Sequence, residues 1–134
     1  MVKGKRFSNN SIVAVGYKKL VLYQKTKELI LIVYKTTSKY PKSELFNLVS
    51  QMRRAAVSVL ANIVEGYSKE SSAEYARFLT IAIGSITELE VLLEVSQELK
   101  FITQTEHKNV YNLLQETKNL LYGSRKAIRR RIGN

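Results

Sequence analysis

The sequence predicts an all-α protein, an antiparallel up-down-up-down four-helix bundle. Three observations carry this expectation. Apolar residues recur at three- and four-residue spacing through long segments rich in Leu, Lys, Glu and Ala. Only one proline, Pro41, interrupts 134 residues. Two capping-box signatures mark helix starts, and the short connections make neighbouring helices antiparallel. A hydrophobic content of 45% is enough for a packed core. Residues 1–134 therefore read as one domain, with a basic arm over 1–16 ahead of the first helix.

The first helix is expected over about 17–38. Its centre, Leu29 to Tyr34, also has strand character, because Ile and Val favour strands. The helical composition of the preceding segment decides for a helix. Tyr40-Pro41 ends it, since the residue before proline avoids helical dihedrals. The second helix is expected over about 43–65, with Gly66 as a left-handed C-terminal glycine. The third, over about 71–99, starts at Ser71 with Glu74 three residues on. The fourth, over about 104–131, starts at Thr103 with Glu106 in the same relation.

Helix three carries apolar residues on two faces. Tyr75, Phe78, Leu79, Ala82, Ile86, Leu89 and Leu93 form one. Ile81, Val91, Leu92 and Val95 lie on the other. Helix one is apolar nearly all round at its centre. A monomeric bundle has one core and cannot bury both faces of two helices, so self-association is expected. Singly exposed Val and Ile are the plainer alternative.

Charge is uneven. Residues 1–42 carry ten basic and one acidic residue, 43–117 six and ten, and 118–134 six and none. The total is +11. Clusters of one sign imply an anionic partner, such as nucleic acid. In an up-down-up-down bundle the start of helix one and the end of helix four share one end. Lys3, Lys5, Arg6, Lys18 and Lys19 are then expected beside Arg125, Lys126, Arg129, Arg130 and Arg131 as a nucleic-acid-binding patch. A solvated tail after Gly123 is the alternative.

Helix two carries a stripe of Asn47, Gln51, Arg54, Ser58, Asn62 and Glu65, poor in the Lys and Glu of an ordinary solvated face. A hairpin turning near Ser68 brings Arg53 level with Gly84, and Glu88 lies roughly 6 Å further along the axis. Arg53 or Arg54 is therefore expected to pair with Glu88, and Glu65 with Arg77. Together with Asn62 they form a structural polar network, or alternatively they meet a partner chain or RNA.

Enzyme chemistry finds no support. There is no cysteine, no aspartate and one histidine, His107, with no glutamate three residues before it. A Ser-His-Asp triad, a thiol nucleophile and a di-iron Glu-x-x-His pattern are all excluded. No catalytic residue, metal or cofactor is expected. The eight tyrosines read as core or interface sooner than as base-stacking platforms. No run approaches the ~18 apolar residues of a membrane span. The apolar part of the N-terminus, Ile12 to Val15, is too short for a signal-peptide core. A cytoplasmic protein without a membrane partner is expected.

Gln51, Arg53-Arg54-Ala55, Asn62-Ile63, Glu65-Gly66, Phe78-Leu79, Gly84-Ser85 and Glu88-Leu89-Glu90 carry a further signal. In this order, within Leu22 to Leu99, they resemble the four-helix-bundle proteins encoded in intervening sequences of bacterial 23S ribosomal RNA genes. The chain departs from that pattern at Leu60, where the family often has proline, so helix two should be less kinked here. It departs again at Val64, where the family often has alanine, and lacks the tryptophan often found near Tyr23. The resemblance implies a four-helix bundle and a ring-like homo-oligomer, a pentamer. It also implies a relation to accessory proteins of diversity-generating retroelements, RNA-binding partners of a reverse transcriptase. Three functional classes follow: an RNA- or nucleic-acid-binding oligomer, a protein-interaction scaffold such as a reverse transcriptase accessory subunit, and a self-assembling bundle with no polyanion role.

Overall fold

The computed structural model describes residues 16–133. A short 3-10 turn, Tyr17–Lys19, leads into α1, Val21–Thr37. The two are not one helix, because Leu20 is extended (φ −68°, ψ 131°) and starts α1 afresh. The segment Leu29 to Tyr34 is helical throughout. After Pro41 the backbone tightens into a 3-10 turn, Lys42–Glu44, and then widens into a π-turn, Leu45–Val49. It then settles as α2, Ser50–Tyr67. The sequence reading held one α-helix across this stretch. α3 spans Ser72–Glu98 and α4 spans Gln104–Gly133. The four helices form the expected bundle.

Both capping signatures are used. Glu74 N–H donates to Ser71 Oγ at 2.9 Å. At α4 the box is reciprocal: Glu106 N–H donates to Thr103 Oγ1 at 3.1 Å, and Thr103 N–H donates to the Glu106 carboxylate at 3.0 Å. Lys100 (φ 63°) occupies the left-handed position that ends α3. Phe101 N–H donates to Ser96 C=O and Lys100 N–H to Gln97 C=O, both at 3.0 Å, closing a Schellman turn.

Gly66 corrects an expectation. It lies inside α2, and none of the described glycines has a positive φ. The residue is glycine because α3 leaves no room. A Cβ there would stand 2.7 Å from Phe78 Cβ and 3.0 Å from Tyr75 Cδ1. The glycine thus sets the approach of α2 to α3.

Leu29 and Val33 of α1, Met52, Val59 and Ile63 of α2, Leu79, Ile86, Leu89 and Leu93 of α3, and Val110, Leu114 and Leu121 of α4 fill the core. Buried hydroxyls need partners. Those of Thr26, Thr37, Ser96 and Thr117 donate to the carbonyl four residues back, at 2.6 to 2.8 Å. Ion pairs follow the antiparallel order of α1 and α4: Lys25–Glu116 at 3.2 Å and, just past the end of α1, Lys39–Glu106 at 2.7 Å. Of the second apolar face of α3, Val91 (54%), Ile81 (41%) and Val95 (38%) are exposed, whereas Leu92 is partly buried against the core.

The Lys39 hydrogen bond, ahead of the Thr103 amide, holds the Glu106 carboxyl below its ordinary value of 4.5. A lowered carboxyl pKa stabilises the fold above the unfolded value, and that contribution is lost as pH falls through the folded value. An NMR titration should therefore place the Glu106 midpoint below 4.5 and, in Lys39→Ala, move it upward. A midpoint unmoved by the substitution contradicts the contact.

Candidate nucleic-acid interface

The basic tail of α4 is helical to its end, so its cations are spaced by the helix. Lys126, Arg129, Arg130 and Arg131 are all exposed. Arg125 is half-buried, because its Nη1 donates across to Thr80 Oγ1 on α3 at 3.2 Å. Its guanidinium also lies 5.2 Å from the centre of the Tyr122 ring. Tyr122, Arg125, Lys126, Arg129 and Arg130 line an open groove of about 480 Å³. Such a groove has a tyrosine ring at one end and three exposed cations along it, a chemistry suited to phosphate contacts. Cations in the last turn of α4 also complement the negative end of its dipole.

Lys18 and Lys19 are exposed on the 3-10 turn. Tyr17, on the same turn, lines a pocket with Glu65 and Ser68 at the end of α2, which puts both lysines at the end of the bundle where α2 turns into α3. Lys3, Lys5 and Arg6 lie outside the described residues. The α4 tail runs beside the start of α3, as the Arg125–Thr80 bond shows. The α2–α3 turn therefore joins the same pole and adds Lys69, whose Nζ lies 5.3 Å from the Phe78 ring centre. It also adds Glu65, Glu70 and Glu74, acids that sequence spacing alone did not bring there. Glu74 is engaged by Arg77, whose hydrogen bond holds its carboxyl below the ordinary value.

The polar network differs from expectation. Arg53 faces α1: its Nε donates to Thr37 Oγ1 at 3.0 Å and its Nη2 to Tyr34 C=O at 3.3 Å. The guanidinium lies 4.5 Å from the Tyr34 ring centre. It thus staples α2 to the negative end of α1, and the expected Arg53–Glu88 pair is not made. Arg77 pairs with Glu74, three residues back in its own helix, through bonds of 3.1 and 3.2 Å, instead of with Glu65. Glu88 and Arg54 are exposed and have no ion-pair partner among the described residues. Level and rotation separate here. Ser58 and Ser85 share a 2.8 Å hydrogen bond, which puts Arg54 roughly level with Glu88. Both side chains are nevertheless rotated outward. Asn62 joins that seam, donating to Ser58 C=O at 2.8 Å and to Ser58 Oγ at 3.2 Å.

Arg53→Ala removes two charge-assisted hydrogen bonds and a ring contact while Thr37 keeps its bond to Val33 C=O. The expected loss is about 1–2 kcal/mol in denaturant unfolding. A loss as small as that of an exposed ion pair, under ~0.5 kcal/mol, contradicts the staple.

Among the described residues no group of three His, Cys, Asp or Glu is placed to hold a metal. No described helix is long and apolar enough to cross a membrane. Residues 18–123 match the family model described as 23S rRNA-intervening sequence protein. The chain is also similar to a crystal structure of a protein of unknown function from the S23 ribosomal protein family of Bacteroides thetaiotaomicron. The two are 27% identical, with a TM-score of 0.72, over 79% of this chain and 99% of that one. No curated protein matches the chain.

Proposed function

The chain belongs to the 23S rRNA-intervening sequence protein family, and from that premise we propose that it is a non-enzymatic RNA-binding bundle acting in the cytoplasm as a homo-oligomer, a pentamer. The observation that carries the reading is the groove of Tyr122, Arg125, Lys126, Arg129 and Arg130 on a tail with no acid in residues 118–134. Lys18 and Lys19 widen the patch at the same pole, and Lys3, Lys5 and Arg6 belong to it by sequence. Nothing in the groove has the donor and acceptor pattern that reads base edges, so phosphate contacts dominate. Repetition of the patch around a ring multiplies its affinity for a long strand.

The same basic ends, with residues 1–42 at ten basic to one acidic and 118–134 at six to none, also fit a second role for the oligomer, as a scaffold for an acidic protein surface such as that of a reverse transcriptase. Titration of a fluorescently labelled single-stranded RNA with the full chain tests the main reading. Saturable binding at ~50 mM salt that weakens steeply toward ~200 mM is expected. Absence of binding at low salt contradicts RNA binding and leaves the scaffold reading.

A further inference from the structure

Two surfaces of this chain are left incomplete, and each supplies what the other lacks. One is an apolar furrow between α1 and α2. At one end, of about 630 Å³, Tyr34, Leu45, Phe46 and Val57 form its walls, with Arg53 and Arg54 among them. Phe46 is 87% exposed, on the π-turn that opens α2. The furrow continues past Val57 to Leu60, Val64 and Glu65. The other surface is the outward seam of α3: Arg77, Ile81, Gly84, Glu88, Val91 and Val95. Its alternating spacing of four and three residues is that of a helix that packs along another helix. Gly84 stands in the middle of a 27-residue helix, where glycine costs about 1 kcal/mol against alanine. A Cβ there would meet nothing within 4 Å. Nothing within the described chain requires that glycine, whereas a second helix in close approach does.

We infer that the outer seam of α3 docks into the α1–α2 furrow of a second copy of this chain, antiparallel to α2, with Glu88 on Arg54 and Arg77 on Glu65. This rests on the reading that the chain self-associates, and adds where. The charges choose the occupant. Arg54 and Glu65 stand eleven residues apart on α2, and Arg77 and Glu88 stand eleven apart on α3. Both intervals span about 16 Å of helix axis, so one antiparallel register closes both pairs at once. In between, Ile81 meets the apolar stretch around Leu60 and Ala61, and Gly84 lets the backbones approach. Arg77 is exposed and leaves its local partner Glu74 at little cost. Furrow and seam are different surfaces of one protomer, so each copy offers both, and the contact is the head-to-tail kind that closes into rings.

The test uses the full chain in sedimentation velocity, with circular dichroism as the control for folding. Arg54→Glu and Glu88→Arg should each weaken association at least ~10-fold, because each sets like charges against each other. An equimolar mixture of the two variants should reassemble, since each then offers the charge the other lacks. A pair formed within one chain cannot be restored by mixing. Gly84→Leu, at an exposed site that leaves the fold intact, should also block assembly. Folded variants that assemble like the parent, or a mixture that stays dissociated, overturn this interface while the oligomer stands. A parent chain that stays monomeric at high concentration overturns self-association itself.

Discussion

Gly66→Ala is expected to destabilise the bundle by about 1–3 kcal/mol, the range of an overpacked core site. The substitution normally helps a helix, since alanine exceeds glycine by about 1 kcal/mol in helix propensity. Here the sign reverses, because the new methyl would stand 2.7 Å from Phe78 Cβ, an atom fixed to the α3 backbone. Relief requires α2 and α3 to separate. That disturbs the Tyr75 and Phe78 packing and the edge-to-face contact of Tyr67 with Tyr75, whose ring centres are 6.0 Å apart. Gly84→Ala is the internal control. It meets nothing in the chain and should stabilise the monomer by about 0.5–1 kcal/mol. Urea unfolding of both variants, at a concentration where the chain is monomeric, checks the pair. Equal shifts of the same sign contradict the packing account of Gly66.

Replacing Arg125, Lys126, Arg129, Arg130 and Arg131 together with Gln is expected to lower RNA affinity at least ~100-fold at low salt, since phosphate neutralisation supplies nearly all of such binding. The fold should survive. Four of the five side chains are exposed, and the fifth, Arg125, loses a bond to Thr80 and its contact with the Tyr122 ring. The cost to stability is about 1 kcal/mol or less, mostly the lost interaction with the C-terminal dipole of α4. Circular dichroism and RNA titration on the same sample separate the two effects. Undiminished affinity in a folded variant moves the site away from α4.

The helices were legible because their signals are local. Ser71 with Glu74 and Thr103 with Glu106 gave both starts, and the apolar face of α3 that includes Leu79, Ala82, Ile86, Leu89 and Leu93 gave its share of the core. Rotation of one helix about its axis against another is not local, and there the reading failed. Counting put Glu88 roughly 6 Å beyond the level of Arg53, whereas the Ser58–Ser85 bond puts it about level with Arg54, and both side chains point outward. Arg53 turned to the carbonyl end of α1, a partner that no charge pattern announces. Gly66 has the sequence context of a helix stop, and only the packed position of Phe78 reveals it as a spacer. In the basic groove the cations were legible from charge alone. Thr80 and Lys69 were not, since they reach the pole through the folding of α3 against α4 and the course of the α2–α3 turn, whereas Tyr122 stands one helical turn before Arg125 on α4 itself.

The salt dependence of RNA affinity counts the phosphates that the α4 tail neutralises. With about five phosphates neutralised by the α4 tail, a plot of log affinity against log salt for single-stranded RNA should fall with a slope near −3.5, and the five-Gln variant should lose most of that slope. A slope near zero for the parent, or one unchanged in the variant, would contradict the assignment of the α4 tail as an RNA-binding surface.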